Sequence, residues 1–183
     1  MSTEFNAHRL DVKAFAQAGA TLRGRDLLSK YERLLEEAGG QGGERAVQWE
    51  VRGAVQRDAA GFAQIWLYLQ AQVSLPLTCQ RCLGPADIDV TVDRAFRFVA
   101  TEEQAAAEDE EADEDVLVLG RDFNLQALIE DELLMALPLV PRHDICPTEV
   151  RLSAQDVDFE AASAAKPKPF AALAGLKGGK ASG

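Results

Sequence analysis

The chain has 183 residues, enough for one domain with a sizeable core and short for two. Its 47% apolar content supports a folded body, yet no run approaches the roughly 18 consecutive apolar residues of a membrane helix. The net charge of −11 counts against a body that grips nucleic acid through a concentrated basic face.

That charge is unevenly spread. Nine acids and no base lie within residues 102–115, EEQAAAEDEEADED, so the rest of the chain carries only −2. Residues 161–183 hold Lys166, Lys168, Lys177 and Lys180 and no acid. Three cysteines, an odd number, do not suit a disulfide framework. The N-terminus, MSTEFNAHRLDV, lacks the apolar core of a secretory signal. A cytoplasmic protein with reduced or metal-bound thiols is expected.

In chain order, residues 9–16 can form a short strand with Leu10, Val12 and Ala14 on one side. From about Leu22 the pattern becomes helical. Leu27, Leu28, Tyr31, Leu34 and Leu35 recur at three- and four-residue spacing, and Gly39-Gly40 supplies the stop. The middle of the chain reads as β structure. Val47, Trp49, Val51 and Val55 alternate with polar residues, and Gly61 suits a turn. Ile65 to Leu77 then places apolar residues on odd positions, with Trp66 and Tyr68 interrupting the polar side. A strand of that length predicts a bulge or bend, with Pro76 at a sheet edge. Ile88, Val90, Val92, Phe96 and Phe98 continue the alternation, and 116–120 can add an edge strand.

The acidic run buries too little apolar surface to order itself, so residues 101–115 are expected to be a disordered loop. Leu125, Leu128, Ile129, Leu133, Ala136 and Leu137 then share a helical face, with Asn124 as N-cap and Pro138 and Pro141 beyond the end. The expected fold is α+β: an antiparallel meander of three to five strands covered by two amphipathic helices. One domain spans 1–158, and a flexible basic tail spans 159–183.

The sharpest motif is Cys79-Gln80-Arg81-Cys82, followed by Gly84 and Pro85. Two thiolates at this spacing can hold one side of a tetrahedral metal. His143 and Cys146 repeat the spacing about sixty residues later, completing a Cys3His set of the right type for structural zinc. The competing reading is three ordinary reduced thiols near a turn. A redox dithiol is a third reading, disfavoured because the pair lies between strands rather than at a helix start. Glu130, Asp131 and Glu132 are consecutive in a helix, so they point apart and form no catalytic pair; Glu132 lies nearest the apolar stripe. No phosphate-binding loop and no nucleophile elbow is present, so no catalytic residue and no small-molecule substrate is expected. The segment 166–177, with Phe170, Leu173 and Leu176 behind Lys166, Lys168 and Pro169, is either a solvated tail or a docking element.

Four features in this order resemble the YceD family: the Cys-x-Arg-Cys knuckle, the acidic run, the helix IEDELLMALPLVPRHD, and the terminal KPxPFAxLAxLK. The resemblance implies a bacterial cytoplasmic protein needed for normal levels of the large-subunit ribosomal RNA, with no established catalytic activity. Its partner would be an rRNA precursor or a ribosome-assembly protein, with no membrane. The matching positions are Cys79, Arg81, Cys82, Glu130, Glu132, Pro138, Pro141, Lys166, Pro169, Phe170 and Lys177, and Glu132 is expected to meet Arg81 or a backbone donor. The alternative is a zinc module whose partner is unrelated to ribosomes.

Overall fold

Alternating apolar residues give three long strands, and the sheet is built around them. A computed structural model describes residues 5–109, 112 and 114–148. The expected boundary near residue 158, and with it Lys166, Lys168, Pro169, Phe170, Leu173 and Lys177, lies outside the described residues. The five strands are β1 (Thr21–Leu27), β2 (Ala46–Arg57), β3 (Ala63–Thr78), β4 (Pro85–Val99) and β5 (Asp115–Val118), adjacent in that order. The first four pair antiparallel, and β5 pairs parallel with β4.

The α+β class and the meander match the sequence reading, and its period-2 pattern set the faces correctly. On the inner face Val51 opposes Leu69, Leu67 opposes Phe96 and Ile65 opposes Phe98. All six are buried. The register of β3 with its neighbours runs from end to end without a bulge, contrary to expectation. Pro76 sits where β3 has outrun its pairing with β2 and has only β4 beside it, so its missing N–H leaves no ladder bond unmade.

Two N-terminal elements differ from the sequence reading. Residues expected as a strand form helix α1 (Val12–Gln17), because the Asp11 carboxylate accepts the Ala14 N–H at 2.9 Å and caps it. Val12, Phe15 and Ala16 then fall on one helical face and are buried. The helix expected from Leu22 is instead β1, a 3-10 turn at Leu28–Lys30, and a shorter helix α2 (Glu32–Glu37). The reason lies at Gly24. It pairs with Trp49, whose indole lies where a Gly24 Cβ would stand, 2.2 Å from the nearest ring atom. The Trp49 Nε1–H donates to Asp26 at 2.8 Å, locking that arrangement. Leu28, Tyr31 and Leu34 of the expected stripe are buried, while Leu27 is half exposed.

The acidic segment also departs from expectation. Residues 102–109 form helix α3 (Glu102–Asp109) rather than a disordered loop. Its Ala105 packs with Val99 and Val116, and Glu108 pairs with the buried Arg97, which also bonds Glu114. A guanidinium already placed on β4 gives the carboxylates a partner that composition alone does not reveal. Helix α4 (Leu125–Met135) follows the sequence reading. The Asn124 side chain caps it by accepting the Ala127 N–H at 3.1 Å, and Leu125, Ile129 and Leu133 are buried against the inner face.

Candidate metal centre

Strands β3 and β4 end in the turn that carries the first cysteine pair. Within it the Cys79 N–H donates to the Gly84 carbonyl at 2.9 Å, and the Leu83 N–H donates to the Cys79 carbonyl at 2.8 Å. This closes a tight knuckle in which Leu83 takes φ +59°, the left-handed region that costs an L side chain roughly 1–2 kcal/mol. The segment after α4 returns to this knuckle. Pro138 and Pro141 lie beyond the helix end, and the Pro141 carbonyl accepts the Gln80 N–H at 2.8 Å. That bond sets His143 and Cys146 beside Cys79 and Cys82.

The four side chains meet. Their donor atoms all lie within 4.8 Å of one another. Cys79 Sγ is 3.9 Å from Cys146 Sγ, and Cys82 Sγ is 3.5 Å from His143 Nδ1. A tetrahedral zinc with Zn–S near 2.3 Å and Zn–N near 2.05 Å has S···S edges of about 3.8 Å and S···N edges of about 3.6 Å. The Cys79–Cys146 and Cys82–His143 separations are close to those values. The His143 Nε2–H donates to the Pro85 carbonyl at 2.9 Å, which leaves Nδ1 as the free lone pair facing the sulfurs.

The electrostatics agree with a metal-binding geometry. Backbone N–H groups of Cys82, then of His143 and Arg81, point at the Cys79 sulfur and hold its thiol down to about 5. Burial pushes the Cys146 thiol up, and the neighbouring sulfurs add to the effect. Three thiolates this close repel each other unless a cation sits between them.

The other expected residues are placed as follows. Arg81 is exposed on the knuckle, and Glu132 does not meet it. Instead Glu132 is buried, with Arg94 Nε 3.8 Å away. Sequence spacing could not find Arg94, because it is an outlier on the apolar side of β4, opposite Leu69. Glu130 accepts the Arg33 and Leu34 N–H groups at 2.8 and 3.3 Å and also bonds the Arg33 guanidinium. Asp131 takes the other end of Arg33 at 2.6 Å. These carboxylates therefore hold α4 to α2, a structural use.

Burial raises the Glu132 carboxyl above its ordinary value, Arg94 pulls it back down, and Asp115 and Asp131 raise it further. A raised carboxyl means the folded state holds the proton more tightly, so ionisation opposes folding as pH climbs through and above the unfolded value. Glu132→Gln is accordingly expected to raise the melting temperature at pH 7 and to give no gain near pH 4. Thermal melts of both proteins at the two pH values check this, and an equal gain at both would refute it.

An α+β domain with a four-donor Cys3His cluster clipping a hairpin turn to a later loop defines the class. The family model described as "Large ribosomal RNA subunit accumulation protein YceD" matches residues 67–177, more than half of the chain, and the chain belongs to this family. All four donors lie inside that match. A protein of Haemophilus influenzae named "Large ribosomal RNA subunit accumulation protein YceD" is 36% identical over 111 residues, covering 59% of this chain and 63% of that protein. The chain thus spans somewhat less than two thirds of that relative's length. No solved structure matches it. Among the described residues no helix is long and apolar enough to cross a membrane.

Proposed function

We propose that this chain supports accumulation of the large-subunit ribosomal RNA as a non-catalytic binding factor whose knuckle is held by structural zinc. The family supplies the process, since the Haemophilus influenzae relative is named for it. The observation that carries the mechanism is the closed donor set. Cys79, Cys82, Cys146 and His143 would fill all four positions of a tetrahedral metal, leaving none for water or substrate, as in structural rather than catalytic zinc sites. Thiol exchange fits less well, because Cys79 is fully buried and out of reach of a protein disulfide. The partner is an rRNA precursor or another assembly protein.

Sucrose-gradient profiles of a deletion strain test the process. Large subunits and their rRNA are expected to fall, and to recover when the full chain is supplied. Unaltered large-subunit levels would remove the proposal and leave a zinc module with a partner unrelated to ribosomes.

A further inference from the structure

The sheet has two faces of different character. Helices α1, α2 and α4 cover the inner one. Of the helices among the described residues only α3 touches the outer one, at its β4–β5 end, and the loop at Gly42–Arg45 reaches its far edge, where Arg45 pairs with Asp87 at 2.6 Å. The outer face of an antiparallel sheet is ordinarily a scatter of mixed charges. Here the charges are sorted. The outward positions of β1, β2 and β3 include three arginines, Arg23, Arg25 and Arg52, and a single acid, Glu50, which pairs with Arg23 at 2.7 Å. The other acids of this face, Asp87, Asp89 and Asp93, are gathered on β4, whose one outward arginine, Arg97, is taken up by Glu108 and Glu114.

Two aromatic rings stand among those arginines. Trp66 and Tyr68 are neighbours on the outer side of β3, half-buried, with ring centroids 6.1 Å apart and planes within 12° of parallel. The Arg52 guanidinium lies 4.5 Å from the centre of the Tyr68 ring, across the strand pair. Large aromatics are unexpected at solvent-facing positions of a strand whose inner side already carries an unbroken apolar row. Amide side chains fill the remaining positions. Gln48 and Gln72 face outward beside the arginines and line a shallow trough with Arg23 and Gln70, with Glu50 and Asp93 also in its lining. Gln56 donates to the Tyr68 hydroxyl and Gln64 accepts from the Trp66 indole, which holds the two rings in place.

Parallel rings, guanidinium groups and amides on one open sheet face form a surface with a definite chemistry. Nucleobases stack on aromatic and guanidinium planes, their edges bond to amides, and phosphates pair with arginine. We propose that the outer face of β1–β3 binds single-stranded RNA, with bases stacking at Trp66 and Tyr68 and the backbone following Arg52, Arg23 and Arg25. The choice of RNA rests on the reading in the preceding section; the surface chemistry itself requires only unpaired bases. A duplex hides its base faces and cannot use the rings. The segregated acids of β4 border the site and confine the strand to the β1–β3 side. The contact is modest and salt-sensitive, since few phosphates are neutralised.

The test is fluorescence anisotropy of the full chain with a labelled oligouridylate of about 12 nucleotides, at roughly 50 and 200 mM salt. The expected result is binding to the single strand, weaker binding to a duplex of equal length, and quenching of tryptophan emission by the unlabelled strand. Trp66→Thr with Tyr68→Thr is expected to weaken binding on the order of tenfold to a hundredfold. Arg52→Gln, an exposed change that leaves the core intact, is expected to weaken it severalfold and to lower the salt slope by about 0.7. The site is overturned if the aromatic variant binds like the parent while changing Lys166, Lys168, Lys177 and Lys180 to Gln abolishes binding; RNA is then held by the tail and the ribosomal reading stands. It is also overturned if the parent binds no RNA while the deletion strain still loses large-subunit rRNA, which leaves a protein as partner. Stacking on the sheet with normal rRNA in the deletion strain would keep the site and refute the ribosomal reading.

Discussion

Cys146→Ser is expected to drop zinc content from about one per chain to near zero and to free the loop of residues 137–148 while leaving the sheet folded. Structural zinc contributes on the order of 10–16 kcal/mol in small zinc-dependent peptides, where it supplies the whole folding energy. Here the core of β2, β3, β4 and α4 closes without any of the four donors, so the loss stays local. What the cluster holds is the return of the chain to the β3–β4 turn, for which the Gln80–Pro141 hydrogen bond is a single weak substitute. Elemental analysis of chelator-free protein and limited proteolysis of parent and variant measure the two parts. A metal-free parent that resists proteolysis as well as before would exclude the site. Chelation of the parent should reproduce the variant, with cleavage confined to the same loop.

Glu130→Ala is expected to cost about 3 kcal/mol, measured as a lower denaturant midpoint with an unchanged slope. The Glu130 side chain is only 13% exposed and accepts two backbone N–H groups at the first turn of α2 together with the Arg33 guanidinium. Charge-assisted bonds of this kind contribute more than neutral ones, and the carboxylate also meets the positive end of the short helix. Removing it leaves two helix N–H groups without partners inside a part-buried contact. Glu130→Gln should recover part of the loss, because the amide oxygen can still accept. Equal stability of parent and alanine variant would show that Asp131 alone holds Arg33 and that the capping bonds contribute nothing.

The legible parts of the fold were those in which one physical rule acted alone. Period-2 alternation set β2, β3 and β4, and the Asn124 cap with an apolar stripe set α4. The sequence misled where a distant side chain decided. Leu22 to Leu27 reads as helical until Trp49 is placed over Gly24, and no local pattern announces that overlap. The acidic run reads as disordered until Arg97 is known to lie beside it. The parallel pairing of β5 was equally hidden, since a four-residue apolar run carries no direction. The candidate metal centre was half legible. Both donor pairs could be read from their spacing, but their meeting depends on α4 and the Pro141 carbonyl returning the chain to the knuckle. On the outer face, Trp66 and Tyr68 stood out only as interruptions of a polar pattern, because Arg52 reaches them from the neighbouring strand.

The pairing of Leu10 with Phe123 has a consequence for the order in which a growing chain can fold. Around it, the Leu125 N–H donates to the Ala7 carbonyl and Gln126 donates to the Lys30 carbonyl, so the earliest residues find their partners more than ninety positions later. During synthesis the antiparallel hairpins can zip as each strand appears, since their contacts are local. Helix α1 can pack on β2 and β3 early, but the core lacks Leu125, Ile129 and Leu133 until α4 has been added. A nascent chain stopped before residue 125 therefore leaves open the part of the inner face that α4 covers, and one stopped after 137 has that part covered but still lacks His143 and Cys146, two of the four candidate donors. Synthesis ends folding in two separate steps, closure of the core and then fastening of the loop.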